Sequence, residues 1–131
     1  MNPTSEDVKD ILEGISSLAL TYATDLFIGE IPTTPDNCVC IYDTGGYDSE
    51  ENYTYQRPTI QVRVRGAKGE YLAAHEQAQA IRDEVHGLHN ETINGTRYVG
   101  IWQEGDIISV GQDDNKRPNV TINFRIHRTT A

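Results

Sequence analysis

The sequence has no run of about 18 apolar residues, the length a membrane-spanning helix needs, so no membrane partner is expected. Its opening residues, Met-Asn-Pro-Thr-Ser-Glu-Asp, carry neither the charged nor the apolar region of a signal peptide, and export is not expected. The four Asn-x-Thr sequons, at Asn52, Asn90, Asn94 and Asn119, are accordingly read as coincidence in a chain rich in Asn and Thr. Positive charge is scarce as well. Lys and Arg number 11 against 20 Asp and Glu, a formal net charge of -9 over 131 residues. Phosphate affinity comes mainly from lysine and arginine displacing counterions, so this balance argues against a protein that grips nucleic acid. It remains compatible with one that lets DNA pass. Cysteine is limited to Cys38 and Cys40. On a strand these share a face with Cα atoms about 6.6 Å apart, twice the strand rise. Their side chains run parallel, whereas a disulfide needs Cβ atoms about 3.8 Å apart. Free thiols are expected, and two cysteines without further ligands make no zinc site.

Recognisable catalytic patterns are missing too. His75 and His86 lie eleven residues apart on one expected helix, roughly 16 Å along its axis, too far to share a metal. His86 and His89 have no evident third ligand. Asp43, Asp48, Glu50 and Glu51 cluster without the alternation of a calcium loop and read as a solvated acidic segment. Gly45-Gly46 is followed by neither a helix nor a Lys-Ser/Thr pair, so it is no phosphate cradle. No nucleophile sits in a recognisable elbow. No enzyme activity, cofactor or metal is expected.

What is present is periodicity. A chain of 131 residues is the usual size of one domain, here 1–131. Residues 4–23 predict a helix, with Thr4 as N-cap and Val8, Ile11, Leu12, Ile15, Ala19 and Tyr22 as its buried stripe; Gly14 weakens it from outside that stripe. Short strands follow at 26–31 and 37–42, the second broken by Asp43-Thr44-Gly45-Gly46. Residues 47–56 mix acids with tyrosines and read either as a solvated connection or as a contact arm. Pro58 opens a strand in which Ile60, Val62 and Val64 face one way and Gln61, Arg63 and Arg65 the other. Residues 70–88 predict a second helix, with Tyr71, Ala74, Ala78, Ile81, Val85 and Leu88 on one side. Nineteen helical residues span about 28 Å, close to the nine strand residues they are to cover. Asn94-Gly95 marks a hairpin, and Gly105 separates short strands at 99–103 and 106–112. A polar turn at 113–118 leads into a last strand, where Val120, Ile122, Phe124 and Ile126 alternate with Thr121, Asn123, Arg125 and His127. That strand is expected beside 58–65.

These elements predict an α+β two-layer sandwich: a mostly antiparallel sheet with two main helices on one face. The other face then carries Arg63, Arg65, Arg125 and His127, a basic stripe on an acidic protein. Two readings stand: an ordinary solvated face, or one that meets the acidic loop of a neighbouring copy. The pairs proposed are Arg63, Arg65 or Arg125 with Asp48, Glu50 or Glu51 of the next subunit.

The block Tyr42-Asp43-Thr44-Gly45-Gly46, then Tyr55-Gln56-Arg57-Pro58-Thr59-Ile60-Gln61-Val62-Arg63-Val64-Arg65-Gly66, then Tyr71 and the alanine-rich helix to Leu88, resembles the tail terminator proteins of long-tailed bacteriophages. That family is also filed as minor capsid or tail completion protein. The motif order covers about residues 1–128, including the Asn-Gly hairpin with Trp102 and the closing strand after Arg117-Pro118. The resemblance implies a structural virion protein, a sheet with flanking helices forming a hexameric ring. Such a ring caps the tail tube, stops its growth and joins the tail to the head's neck at the head–tail junction. It implies assembly in the host cytoplasm, a major tail tube protein and a head-closure protein as partners, and DNA passing through an acidic lumen without specific binding. It carries over no catalytic residue. Family contacts come from loops and arms, here 43–56 and 111–118, which adds Tyr53, Asp113 and Asp114 to the interface candidates. The alternatives are another neck component, such as a head-closure protein, and a small-molecule-binding regulatory domain. The latter needs an apolar pocket, for which the composition shows no surplus.

Overall fold

In the computed structural model, which describes residues 1–49 and 54–130, alternation and turn chemistry build one sheet. The chain runs α1 (Thr4–Glu13), a 3-10 turn (Ser16–Leu18), β1 (Leu26–Ile28), β2 (Cys38–Tyr47) and β3 (Tyr55–Arg65). It continues through α2 (Tyr71–Val85), β4 (His89–Ile93), β5 (Thr96–Gln112) and β6 (Pro118–Thr130). The strands lie in the order β1-β2-β3-β6-β5-β4. β1 and β2 are parallel; the other described pairs are antiparallel. As expected, β6 lies beside β3, with Val62 opposite Ile122 and Ile60 opposite Phe124.

The core forms where the alternating faces meet the helices. Val39, Ile41, Ile60, Val62, Val64, Val120, Ile122, Phe124 and Ile126 pack with Val8 and Leu12 of α1 and with Ala74, Ala78, Ile81 and Val85 of α2. Each large side chain buried this way stabilises the fold by roughly 1.5–3 kcal/mol. Gly66 lets α2 approach closely: a Cβ there would sit 2.9 Å from the Glu70 carbonyl oxygen and 3.1 Å from the Ala74 Cβ.

The α+β class holds, but the clean two-layer sandwich is corrected. The sheet is mixed and curled, and the face away from the helices is partly roofed by the segment 29–37, which doubles back over β2 and β3. Arg65 donates from Nε to the Asp36 carbonyl at 3.0 Å and from Nη2 to that of Pro35 at 2.7 Å. Arg117 reaches the same segment through the Thr33 carbonyl and the Asp36 carboxylate. Cys38 and Cys40 are buried beneath this roof as free thiols, and burial pushes both upward in pKa.

Several local expectations change. The first helix ends at Glu13, not near residue 23. Gly14 caps it, Ile15 is extended, and Ala19 and Ala23 take left-handed backbone that no helix continues through. Tyr22, assigned to the buried stripe, is exposed. The N-cap position is Pro3 without a side-chain bond, not Thr4. The acceptor comes from far along the chain instead: Asp43 takes the Ser5 N–H at 3.0 Å and the Ser5 hydroxyl at 2.6 Å, placing a carboxylate at the positive helix end. Thr44-Gly45-Gly46 does not break β2; Thr44 and Gly45 together oppose the single residue Thr59 in a bulge. Pro58 lies inside β3, a central strand, where the β6 ladder skips from Gln56–Arg128 to Thr59–Arg125 and so needs no N–H from it. Residues 96–112 are one strand, not two, with register shifts near Gly105 and Gly111, both at positive φ.

Candidate assembly surface

The strand register brings the expected basic stripe together and then divides it. On the face away from the helices, Cys38, Arg65 and Asn119 form one row, Cys40, Arg63, Thr121 and Ile108 the next. Tyr42, Gln61, Asn123 and Glu104 follow, and then Thr59, Arg125 and Trp102. The first row is closed. Arg65 is 3% exposed and its guanidinium is satisfied by the carbonyls of the roof. It departs from the expected wet arginine because the sequence does not show where 29–37 goes.

The later rows open by degrees: Cys40 and Thr121 are still buried, whereas Glu104 and Arg125 are exposed. Arg63 is half-buried with its guanidinium 5.8 Å from the Tyr42 ring centre, and its Nε has no hydrogen-bond partner. Arg125 is exposed and sits 5.1 Å over the Trp102 ring. His127 meets Trp102 and Tyr55 edge-on, and its Nδ1 lies 2.8 Å from the Tyr55 hydroxyl. Among the described residues, no ion pair uses Arg57, Arg63 or Arg125.

Burial, and then the nearby charges of Arg125 and Arg57, hold His127 below its ordinary pKa. Between that lowered value and the usual one of about 6.5 the unfolded chain binds more protons, so stability is full above it and declines as pH falls. His127→Gln should therefore flatten the acid-side loss of stability. Urea midpoints for both proteins across pH 5 to 7.5 check it; parallel curves would contradict it.

Asp48 is exposed at the end of β2, and its carbonyl accepts from Arg57 Nε at 3.0 Å. Glu50, Glu51 and Tyr53 lie outside the described residues, as does the centre of the 47–56 arm. Asp113 braces its own turn: Oδ1 accepts the Asn115 and Arg117 N–H groups, and Oδ2 accepts Arg117 Nε at 2.8 Å. These donors, the Arg117 N–H foremost, hold its carboxyl below the usual range. Asp114 is exposed at the tip of the same turn. Of the two, Asp114 is the one available to a partner.

Reading the sequence missed two features. One is the buried group of Asp7, Tyr98 and Arg128. The other is a cleft of about 300 Å³ with an apolar floor of Ile11, Ile15, Leu88, Ile93 and Ile101, rimmed by Asp10, Glu84 and Glu91. It opens because α1 stops early, leaving Ile11 and Ile15 only partly covered. Two histidines bond to backbone groups: His86 Nδ1 accepts the Gln103 N–H at 2.8 Å, and His89 Nδ1 lies 3.0 Å from the Gly87 carbonyl. No helix among the described residues is long and apolar enough to cross a membrane.

A family profile described as bacteriophage tail terminator protein matches residues 15–130, nearly the whole chain. The chain belongs to the bacteriophage tail terminator family. The terminator is thus a structural protein of a phage-type tail and a component of the virion. Among solved structures, a chain of the "Virion of native gene transfer agent (GTA) particle" superposes with a TM-score of 0.71 at 14% identity, covering 97% of this chain and 93% of that one. A second solved chain superposes with a TM-score of 0.55 at 16% identity, covering 98% of this chain and 92% of that one. At such identities the likeness is one of fold. No curated protein matches the terminator in sequence.

Proposed function

We propose that this terminator assembles as a hexameric ring on the last ring of the tail tube, stops tube growth and presents the surface to which the head's neck proteins attach. Family membership supports the tail-end role, and the fold shared with a chain of a gene transfer agent virion is consistent with it. The observation that carries assembly is the open face itself. On a chain of net charge -9, Arg63 and Arg125 stand without a carboxylate partner among the described residues. Acids of the adjacent copy, Asp48, Glu50 and Glu51, supply that partner. Arg65, held by its own chain's carbonyls, serves the fold and not the junction. Asp114 and the arm around Tyr53 are the proposed contacts with tube or neck. The remaining acidic surface keeps the lumen repulsive to DNA over about 8 Å, the Debye length in physiological salt.

The test is native mass spectrometry and sedimentation of wild type and of Arg63→Glu/Arg125→Glu, alone and with purified tail tubes. Wild type should form hexamers in one setting or both. Like-charge contacts cost several kcal/mol, so the reversal should weaken assembly on the order of 100-fold. Equal assembly by both proteins would reject the pairing. The apolar cleft favours a small-molecule reading; a ligand mass retained on the purified protein would support it.

A further inference from the structure

One sheet here ends in two unfinished margins. At one margin β4 pairs with β5 only as far as Gly100, and residues 105–112 of β5 then run with β6 on one side and no described strand on the other. This stretch exposes Ile108 at 48% and Val110 at 47%. It contains no lysine, arginine or proline, and Asp106 is its only charge. Proteins usually guard an open edge with lysine, proline or a covering segment, because its free N–H and C=O groups template pairing with another chain. Bulges near Gly105 and Gly111 bracket the stretch, and neither covers its apolar side chains.

At the opposite margin β1 accompanies β2 only from Val39 to Ile41. Residues 43–47 continue beyond it, paired to β3 on the inner side and to no described strand on the outer. Here Tyr47 is 58% exposed, and Gly45 and Gly46 leave the backbone without side chains to fend off a neighbour.

We propose that copies of this chain join by strand addition: the 105–112 margin of one copy pairs with the 43–47 margin of the next, so that one sheet crosses the junction. This rests on the ring reading and names its contact. The occupant is a second copy because the same chain carries both open margins, on opposite sides of one sheet. A contact between two different patches is head-to-tail, and head-to-tail contacts make a ring when the rotation between copies closes. Each copy in a closed ring then has both margins covered, Ile108 and Val110 on one side and Tyr47 on the other. The junction also separates the arginines. Arg125 lies on β6, one strand in from the joined edge, and Arg63 on β3, two strands in. With strands about 4.8 Å apart, Arg125 is the nearer to acids that follow the neighbour's β2.

Amide hydrogen exchange on the assembled and the dilute wild-type protein tests this, together with the variant Ile108→Lys/Val110→Lys. Both substituted side chains are about half exposed, so thermal unfolding of the monomer should be unchanged. Assembly should slow exchange at least about 10-fold in 105–112 and in 43–47, as new ladder hydrogen bonds form. The variant should need at least about 10-fold more protein to assemble, alone or on tubes. A ring whose exchange is unchanged in both segments, and which the variant forms as readily, overturns strand addition and leaves the ring reading standing. Protection of 105–112 by added tube protein while 43–47 stays unprotected assigns the edge to a tube strand and overturns the second copy as occupant. Wild type that forms no ring alone or on tubes removes the ring reading itself.

Discussion

Asp7→Ala should destabilise the fold by about 3–5 kcal/mol, the range for removing one partner from a buried ion pair. Asp7 is fully buried at the first turn of α1. Its Oδ2 accepts the Tyr98 hydroxyl, and its Oδ1 accepts Asn94 Nδ2 at 2.9 Å and Asn2 Nδ2 at 3.3 Å. Arg128 Nη1 lies 4.0 Å from Oδ2, and the same nitrogen donates to the Asn2 carbonyl at 2.9 Å. Nε of Arg128 donates to Gln56 at 3.0 Å. Alanine leaves the buried Arg128 charge without a counter-ion and the Tyr98 hydroxyl without its acceptor. It also weakens the tie of α1 to the Asn94 hairpin and to the end of β6, leaving the Asn94–Asp10 bond at 2.7 Å and the Arg128–Asn2 bond at 2.9 Å. Burial, and then the bond to Asp7, push the Tyr98 hydroxyl well above its ordinary pKa, so it stays a donor throughout the useful pH range. Tyr98→Phe, which deletes one member and keeps the ion pair, should cost about 1–3 kcal/mol. Urea unfolding with unchanged m-values measures both. A loss below about 1 kcal/mol for Asp7→Ala would mean water replaces the carboxylate and the group is not a structural anchor.

Gly46→Ala is the second large effect, expected at about 2–4 kcal/mol from backbone strain and overpacking together. Gly46 has φ 138°, and a Cβ there would sit 2.4 Å from the Arg57 carbonyl oxygen and 2.6 Å from the Pro58 Cα. Those are main-chain atoms of the neighbouring strand, so no rotamer relieves the clash. β2 must lift from β3 at the point where Asp43 holds the start of α1. Gly45 is the internal control: its φ is 87°, but nothing lies within 4 Å of an added Cβ. Gly45→Ala should therefore cost only the left-handed backbone term, about 1–2 kcal/mol. Equal losses at the two positions would show that the bulge, and not the close approach, sets the requirement for glycine.

The two variants bear on what was legible before the fold was known. The Thr-Gly-Gly sequence was visible as a turn signal, because glycine pairs commonly mark positive φ. That it makes a bulge within a continuing strand depends on β3 lying alongside, which no local window contains. Arg128 left a trace that parity alone reveals. It continues the inward set Val120, Ile122, Phe124 and Ile126, so a charge falls where the alternation demands core, and such a charge needs a buried partner. Its partner, Asp7, lies far away in sequence and carries no comparable signal. Among the proposed contacts, Arg63 and Arg125 were placed on their face correctly by period two, while the fate of Arg65 and Asp113 depended on segments folding back upon them.

Residue order along short windows sets where strands alternate, where α2 presents its alanines, where Asn94-Gly95 and 113–118 turn, and that β3 and β6 present matching apolar faces. These follow from side-chain periodicity and backbone preference, which act over a few residues. Contacts made across the chain set the rest: where α1 stops, that β5 is one bulged strand, that 29–37 roofs Arg65, and that two sheet margins remain open. Those outcomes depend on which distant groups can satisfy buried N–H, C=O and charge, a condition imposed only once the sheet has closed over its core.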